Sequence, residues 1–266
     1  MIHALDIEFQ VNGQLQIITP VLLKDEEHTI LIDCGYPDFM DRIREAASRS
    51  NVALDTITTI IVTHDDMDHI GSLAALKRSY PHIQVISHEI EAPYIGGTKK
   101  SLRLEQAEST LASLPVHELA QAEQFVRFLQ TIEHVPVDQL VSDKELLPWC
   151  GGIEIIHTPG HTPGHISLYL SHSKTLVAGD AVVIENGMLD IANPQFTLDL
   201  EAAVQSVRRL LAYDIERLYC YHGGLYEGSV RPALEKLVDT YVSRDPKTFK
   251  PMLDTDGFRK KSRQIE

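Results

Sequence analysis

Short apolar runs recur along the chain, and each ends in a turn that carries glycine, histidine or aspartate. The runs occupy 60–62, 153–157, 175–178 and 217–220. Their length and composition predict buried strands. Turns that follow buried strands often carry binding and catalytic groups, because a rigid scaffold fixes where their side chains point. The pattern therefore predicts a site built from several strand ends.

Helical periodicity is clearest in two segments of the C-terminal part of the chain. The segment 198–211 is amphipathic, and Thr197 is its expected N-cap. A second helix is predicted over 229–242, with Pro232 in its first turn, where proline is tolerated. Strands followed by helices predict a mixed α/β fold.

Composition restricts the class of protein. The 266 residues are 43% hydrophobic, which is enough for a sizeable core. The net charge of −14 disfavours non-specific binding to nucleic acid. No apolar run approaches the length of a membrane span, and the N-terminus lacks a basic region followed by an apolar one. The three cysteines form no CxxC pair and suit a reducing compartment. We therefore expect a cytoplasmic protein that acts on a small molecule, with neither nucleic-acid nor membrane partners; a homodimer is left open.

The densest cluster of polar side chains follows the run at 60–62. Within 64–69, two imidazoles and three carboxylates occupy six positions. A run of charges usually faces water, so a solvated turn is the alternative interpretation. Histidine and aspartate are nevertheless the ligands that zinc and related divalent metals accept, and a plain turn needs no such density of them.

Together, these motifs resemble the metallo-β-lactamase superfamily over about residues 31–224. The family's signature is His-x-His-x-Asp-His, followed by a TPGHT-type turn, a Gly-Asp dipeptide and a final histidine. The resemblance implies an α/β fold, the four-layer αβ/βα sandwich with a helical insertion, in a single domain over 1–266. It implies seven metal ligands, which are His64, Asp66, Asp68, His69, His161, Asp180 and His222.

The resemblance also implies how these ligands divide between two metals. Asp33 would lie close to the metals without binding them, and His165 would support the turn at His161 or be merely structural. The first metal would be held by His64, Asp66 and His161, the second by Asp68, His69 and His222, and Asp180 would bridge them.

Asp66 is the one clear departure from the family pattern, because it stands where the family usually has its second histidine. Two divalent ions are expected, zinc first, because zinc accepts imidazole and carboxylate alike. A carboxylate also makes the first position harder and more anionic, which would favour iron or manganese. The alternative is that Asp66 is a lost ligand and that only one metal binds.

The resemblance implies a binuclear metal-dependent hydrolase in which a metal-bridging hydroxide attacks a small ester, thioester, lactone or phosphodiester. Asp68 or Asp180 would carry the proton to the leaving group. The family's acyl-homoserine lactonases usually have tyrosine three positions beyond the bridging aspartate, where this chain has Val183. An iron-dependent oxidoreductase, persulfide-dioxygenase-like or flavodiiron-like, is the alternative, and a non-catalytic metal-binding protein is the third hypothesis.

The segment 91–148 has a different character and is predicted to be a helical insertion between the two halves of the family fold. Helical spacing extends over 104–111 and 117–129, and Pro115 separates the two stretches. We expect a lid that contributes to substrate choice. A plain packing or dimer element is the alternative, because any apolar partner satisfies an amphipathic helix. The basic cluster 258–263 receives no substrate role.

Overall fold

The computed structural model describes residues 1–11 and 13–243, so the basic cluster 258–263 lies outside the described residues. The strands are β1 (Ile2–Ala4), β2 (Ile7–Val11), β3 (Gln14–Ile18), β4 (Val21–Lys24), β5 (Thr29–Ile32), β6 (Thr59–Ile61), β7 (Gln84–His88), β8 (Gln139–Val141), β9 (Leu146–Leu147), β10 (Ile153–His157), β11 (Ile166–Leu170), β12 (Thr175–Val177), β13 (Val183–Glu185), β14 (Met188–Asp190), β15 (Arg217–Cys220) and β16 (Gly224–Leu225). The helices are α1 (Met40–Arg49), α2 (Met67–Ile70), α3 (Leu73–Ser79), α4 (Ala92–Ile95), α5 (Leu102–Leu111), α6 (Val116–Leu129), α7 (Leu200–Leu210) and α8 (Val230–Val242).

Two six-stranded sheets form the centre of the fold. The first has the order β1-β4-β5-β6-β7-β8, and the second has the order β16-β15-β12-β11-β10-β9. Strands β5 to β8 run parallel to one another, and β12 runs parallel to β15. Parallel strands present their carboxyl ends at the same edge of a sheet, where ligands commonly bind. The segments after β6, β12 and β15 carry six of the seven predicted ligands at such edges, and His161 follows β10.

Three hydrophobic clusters define the layers. One lies between the sheets, where Ile32 and Ile61 of the first sheet share a cluster with Ile155 and Leu168 of the second. The other two clusters lie on the outer faces of the sheets, one beneath α1 and α3 and the other beneath α7 and α8. The order is therefore helix, sheet, sheet, helix, which confirms the predicted four-layer sandwich.

The helical stretches predicted within 91–148 form α5 and α6. Phe125 and Leu129 of α6 are buried in the same cluster as α1, so this part of the chain packs on the first half of the fold. The remainder of 91–148 also supplies α4 and the strands β8 and β9, one for each sheet. The helical part is thus shorter than the predicted segment. Its role as a lid stays a prediction.

Helix α7 begins later than its sequence pattern predicts. Asp199, not Thr197, is its N-cap, because the Asp199 side chain accepts a hydrogen bond from the Ala202 amide at 2.9 Å. The Thr197 hydroxyl instead donates to the Ala192 carbonyl oxygen at 2.8 Å. Helix α8 has the predicted bounds within one residue, with Pro232 in its first turn. Over residues 1–11 and 13–243, every helix is too short or too polar to cross a bilayer.

Candidate metal centre

The seven predicted ligands come together at one edge of the two sheets. His64 and Asp66 lie on the loop after β6, and Asp68 and His69 lie on the short helix α2 that follows. The amide of His69 donates to the Asp66 carbonyl oxygen at 2.9 Å, so the loop turns directly into α2. The second sheet supplies the other three, which are His161 after β10, Asp180 after β12 and His222 after β15.

The first group consists of His64, Asp66 and His161. The Asp66 Oδ2 atom lies 2.9 Å from His161 Nε2 and 3.6 Å from His64 Nε2. One ligand atom from each of the three residues lies within 4.8 Å of the others, and all three side chains are buried. This spacing is suitable for a single ion between them.

The second group consists of Asp68, His69 and His222, with Asp180 between the two groups. His222 Nε2 lies 3.3 Å from Asp68 Oδ2. The Asp180 carboxylate lies 3.4 Å from His69 Nε2, 3.5 Å from His222 Nε2 and 3.5 Å from His161 Nε2. Asp180 therefore contacts histidines of both groups, which is the position that the resemblance implies for a bridging carboxylate.

Three buried polar atoms in this cluster have no hydrogen-bond partner among the described residues. They are His64 Nε2, His69 Nε2 and Asp180 Oδ1. Buried polar atoms normally form hydrogen bonds, and each one left without a partner has a free-energy cost. The same three residues form a further group whose ligand atoms lie within 4.8 Å of one another. A divalent cation would satisfy all three atoms, so the residues present fit a metal.

Neighbouring side chains fix the orientation of these ligands. The Nδ1 atom of His69 lies 2.8 Å from Asp33 Oδ2, as the resemblance implies for Asp33. His165 is completely buried, and its Nε2 accepts a hydrogen bond from the Asp180 amide at 2.9 Å. Partners of this kind hold the ring or backbone of a metal ligand in place and determine which ring nitrogen is free for the metal.

Two residues that sequence reasoning missed lie against the site. Arg103, from the first turn of α5, is 5% exposed and forms a bidentate ion pair with Asp66, with Nε–Oδ1 and Nη2–Oδ2 distances of 2.9 and 2.7 Å. Glu91, which is fully buried, accepts hydrogen bonds from the Asp65 and Gly164 amides, both at 2.9 Å. Glu91 thereby joins the His64 loop to the His161 turn.

The electrostatics of the cluster favour positive charge. Burial opposes ionisation of Asp66, but Arg103 and His161 hold its pKa well below the usual range. Burial lowers the pKa of His161 to about 4, so this imidazole is neutral at pH 7 and has a lone pair for a metal. Burial also disfavours the charged form of His222, yet the carboxylates of Asp180 and Asp68 raise its pKa to about 9. The carboxylates of the cluster thus attract positive charge, including a proton on His222.

Asp65 lies between two candidate ligands in the sequence but outside the cluster in the structure. It is buried and lines a cavity of about 150 Å³ beneath α5 and α6, together with Met67 and Leu104. Lys100, which also lines this cavity, pairs with Glu108 of α5. Asp65 is therefore absent from the three groups of metal-ligand atoms found among the described residues.

Several residues outside the set of seven ligands also have defined positions in the structure. His88 is buried and stacks on His157, with ring centroids 4.3 Å apart, so it takes part in a ring pair. Cys34 and Cys220 are free thiols buried in the core, whereas Cys150 is partly exposed. Val183 is buried at the start of β13.

Comparison with known proteins agrees with this geometry. The sequence profile of the metallo-beta-lactamase superfamily matches residues 15–222. The chain is 30% identical over 222 residues to the probable metallo-hydrolase YflN of Bacillus subtilis, covering 76% of this chain and 78% of that protein. It is 24% identical to a hydroxyacylglutathione hydrolase of Aeromonas hydrophila, covering 76% of this chain and 59% of that protein.

Solved structures share the fold. A metallo-beta-lactamase family protein from Thermus thermophilus superimposes with a TM-score of 0.68 at 21% identity, covering 91% of this chain and 79% of that one. The profile match extends over most of the chain and includes all seven predicted ligands. The chain therefore belongs to the metallo-beta-lactamase superfamily and is a metal-dependent hydrolase.

Proposed function

We propose that the centre holds two divalent metal ions, with zinc the first choice and iron or manganese the alternatives. His64, Asp66 and His161 would hold one ion, Asp68, His69 and His222 would hold the other, and Asp180 would contact both. The observation that carries this proposal is the convergence of His64 Nε2, His69 Nε2 and Asp180 Oδ1, which are buried without a hydrogen-bond partner among the described residues.

The chemistry follows from what surrounds these ligands. When bound, the metal ions supply an activated water at neutral pH and polarise the oxygen under attack. Asp68 and Asp180 lie where a proton would be released, since each carboxylate contacts His222. Asp68 also accepts a hydrogen bond from the Tyr36 hydroxyl at 3.3 Å, which holds its carboxylate in place. We assign the transfer of a proton to the leaving group to these two carboxylates.

A covalent route through a serine is not favoured. The Ser72 hydroxyl donates to the Tyr36 carbonyl oxygen at 2.7 Å, and the Ser167 hydroxyl donates to the Ala178 carbonyl oxygen at 2.9 Å. A nucleophilic hydroxyl needs an adjacent general base, and these two donate to the backbone instead. In a single turnover with oxygen-18 water, we therefore expect the label to enter the product directly.

A small thioester is the substrate class to test first. Relatives from Aeromonas and Haemophilus are named hydroxyacylglutathione hydrolases, and a thioester carbonyl is a centre that activated water attacks readily. Small esters, lactones and phosphodiesters follow. The position of α5 beside Asp66 supports a role for the insertion in substrate choice.

We also propose that the protein acts in the cytoplasm, either as a monomer or as a homodimer.

Metal analysis combined with hydrolysis assays tests the proposal. Protein purified without added metal should contain two equivalents of divalent metal, and chelation should abolish thioester or ester hydrolysis until metal is restored. Asp68→Asn should abolish turnover while the protein stays folded, and Asp55→Asn, at an exposed position, is the control. A single iron with oxygen uptake and no hydrolysis would instead favour the oxidoreductase.

A further inference from the structure

The aspartate that replaces the usual histidine is not a lone anion. Arg103 donates two hydrogen bonds to the Asp66 carboxylate, from Nε to Oδ1 at 2.9 Å and from Nη2 to Oδ2 at 2.7 Å. The two side chains are each 4% exposed, so water screens the pair very little. A bidentate guanidinium–carboxylate pair also fixes geometry, because both groups are planar.

Arg103 is itself held in place by other groups. Its Nη2 donates to the Phe196 carbonyl oxygen at 2.7 Å, and its Nη1 donates to the Gln106 side chain. The guanidinium carbon lies 5.0 Å from the centre of the Phe196 ring. Gln106 in turn donates to the Gln195 carbonyl oxygen at 2.8 Å. The guanidinium is thus fixed between α5 and the loop before α7, with its donors directed at Asp66.

The pair of Asp66 and Arg103 determines the net charge of the ligand set at the first metal position. Three imidazoles would contribute no net charge there. Exchanging one for Asp66 adds one negative charge, and Arg103 cancels it. The guanidinium also withdraws electron density from the carboxylate, so that its remaining lone pairs bind a cation less strongly than those of an unpaired aspartate would. The sequence alone predicts a harder and more anionic position, and the buried arginine counteracts both changes.

We propose that Arg103 is a positioning residue that lets Asp66 replace a neutral imidazole, by cancelling its charge and directing Oδ2 toward His161. The two residues then act as one ligand unit, with the insertion supplying half of it. This inference rests on the proposed function, because it concerns one of the two proposed metal positions. It predicts that either residue alone is unfavourable in the site, whereas exchanging both is tolerated.

A double-mutant cycle tests the unit, using Asp66→His, Arg103→Met and the double variant. In metal-free protein, both single variants should lower the melting temperature, because each leaves a buried charge without its partner. The double variant should recover most of that loss. Metal affinity at the first position, measured by calorimetry, should fall about 10- to 100-fold in Asp66→His, because the guanidinium left without its carboxylate repels the ion. The double variant should return to within about tenfold of the wild type, since a neutral ligand set is restored.

Controls separate this inference from the proposed function. Arg127→Met removes an exposed arginine of α6 and should change neither quantity. If the wild type binds two metals and Asp66→His binds them equally well with Arg103 in place, only the present inference is overturned. If the wild type binds no metal, the proposed function fails as well. Additive losses in the double variant would also overturn the unit, whatever the metal content.

Discussion

Replacing Glu91 by glutamine would disturb the link between the two ligand loops without changing the size of the side chain. Glu91 Oε1 accepts from the Asp65 amide, and Oε2 accepts from the Gly164 amide. Burial raises the pKa of Glu91, and these two donors oppose that rise, so the ionised form depends on them. A glutamine amide has only one acceptor oxygen. Its NH2 group must therefore face one of the two backbone donors.

The magnitude follows from that mismatch. A buried donor left without a partner costs about 1–3 kcal/mol, more where the lost acceptor was charged. For a chain of this size, each kcal/mol lowers the melting temperature by about 2–4 °C. Glu91→Gln should therefore lower the melting temperature of the metal-free protein by about 2–12 °C. Metal affinity at the first position should fall too, since one of its two loops loses an anchor.

Urea unfolding of chelator-treated protein measures the free energy, and thermal unfolding gives the matching shift. Glu89→Gln, two residues earlier and exposed, is the control and should be neutral. If Glu91→Gln were as stable as Glu89→Gln, Glu91 would not accept both bonds as a carboxylate. The argument that it joins the His64 loop to the His161 turn would then be refuted.

Two further predictions concern the second half of the fold. Burial raises the pKa of Asp143, but the His157 amide and Arg209 outweigh burial and lower this pKa below its ordinary value of 3.8. The ionised Asp143 therefore stabilises the fold above about pH 4, and this stabilisation is lost as the pH falls through the lowered pKa. Asp143→Asn should lower the free energy of unfolding at pH 7 by about 0.5–1 kcal/mol, a small effect because the ion pair is partly exposed to solvent. Urea unfolding from pH 7 to pH 3 should show that the difference between variant and wild type shrinks, and a difference that is constant with pH would contradict this prediction. Gly160→Ala should be strongly destabilising, because a Cβ there would lie 2.3 Å from a backbone nitrogen of α7, and Gly187→Ala, also at positive φ but in open space, should cost much less in the same thermal assay.

The resemblance to the family supplies the seven candidate ligands, and the sequence pattern predicts that they meet because each follows a strand-like run. A β-branched run followed by a polar turn identifies the edge, and parallel pairing brings the edges together. Arg103 and Glu91 could not be predicted in the same way. Arg103 is 37 residues from Asp66 and lies on a helix, where an arginine is usually solvated. Only the packing of α5 against the loop before α7 buries it.

Local patterns also give wrong boundaries where the packed structure decides between residues of similar type. Thr197 and Asp199 are both good N-cap residues, and Asp199 caps α7 because the Thr197 hydroxyl is engaged with Ala192. The bounds of 91–148 were too wide for the same kind of reason. Two- and three-residue strands such as β8 and β9 have no periodicity of their own, and become strands by pairing with β7 and β10.

The division of ligands between the two sheets has a consequence for synthesis of the chain. Four of the predicted ligands, at 64–69, leave the ribosome long before His161, Asp180 and His222. At that stage an ion would find an incomplete set of ligands, because the part of the chain that carries the other three has not yet docked. Both groups would therefore be complete only after translation beyond residue 222, and ions bound there would stabilise the docked state over the separate halves. Loading of both positions would thus be a late step of maturation, and a chain truncated before β15 would lack His222 and with it part of the second group.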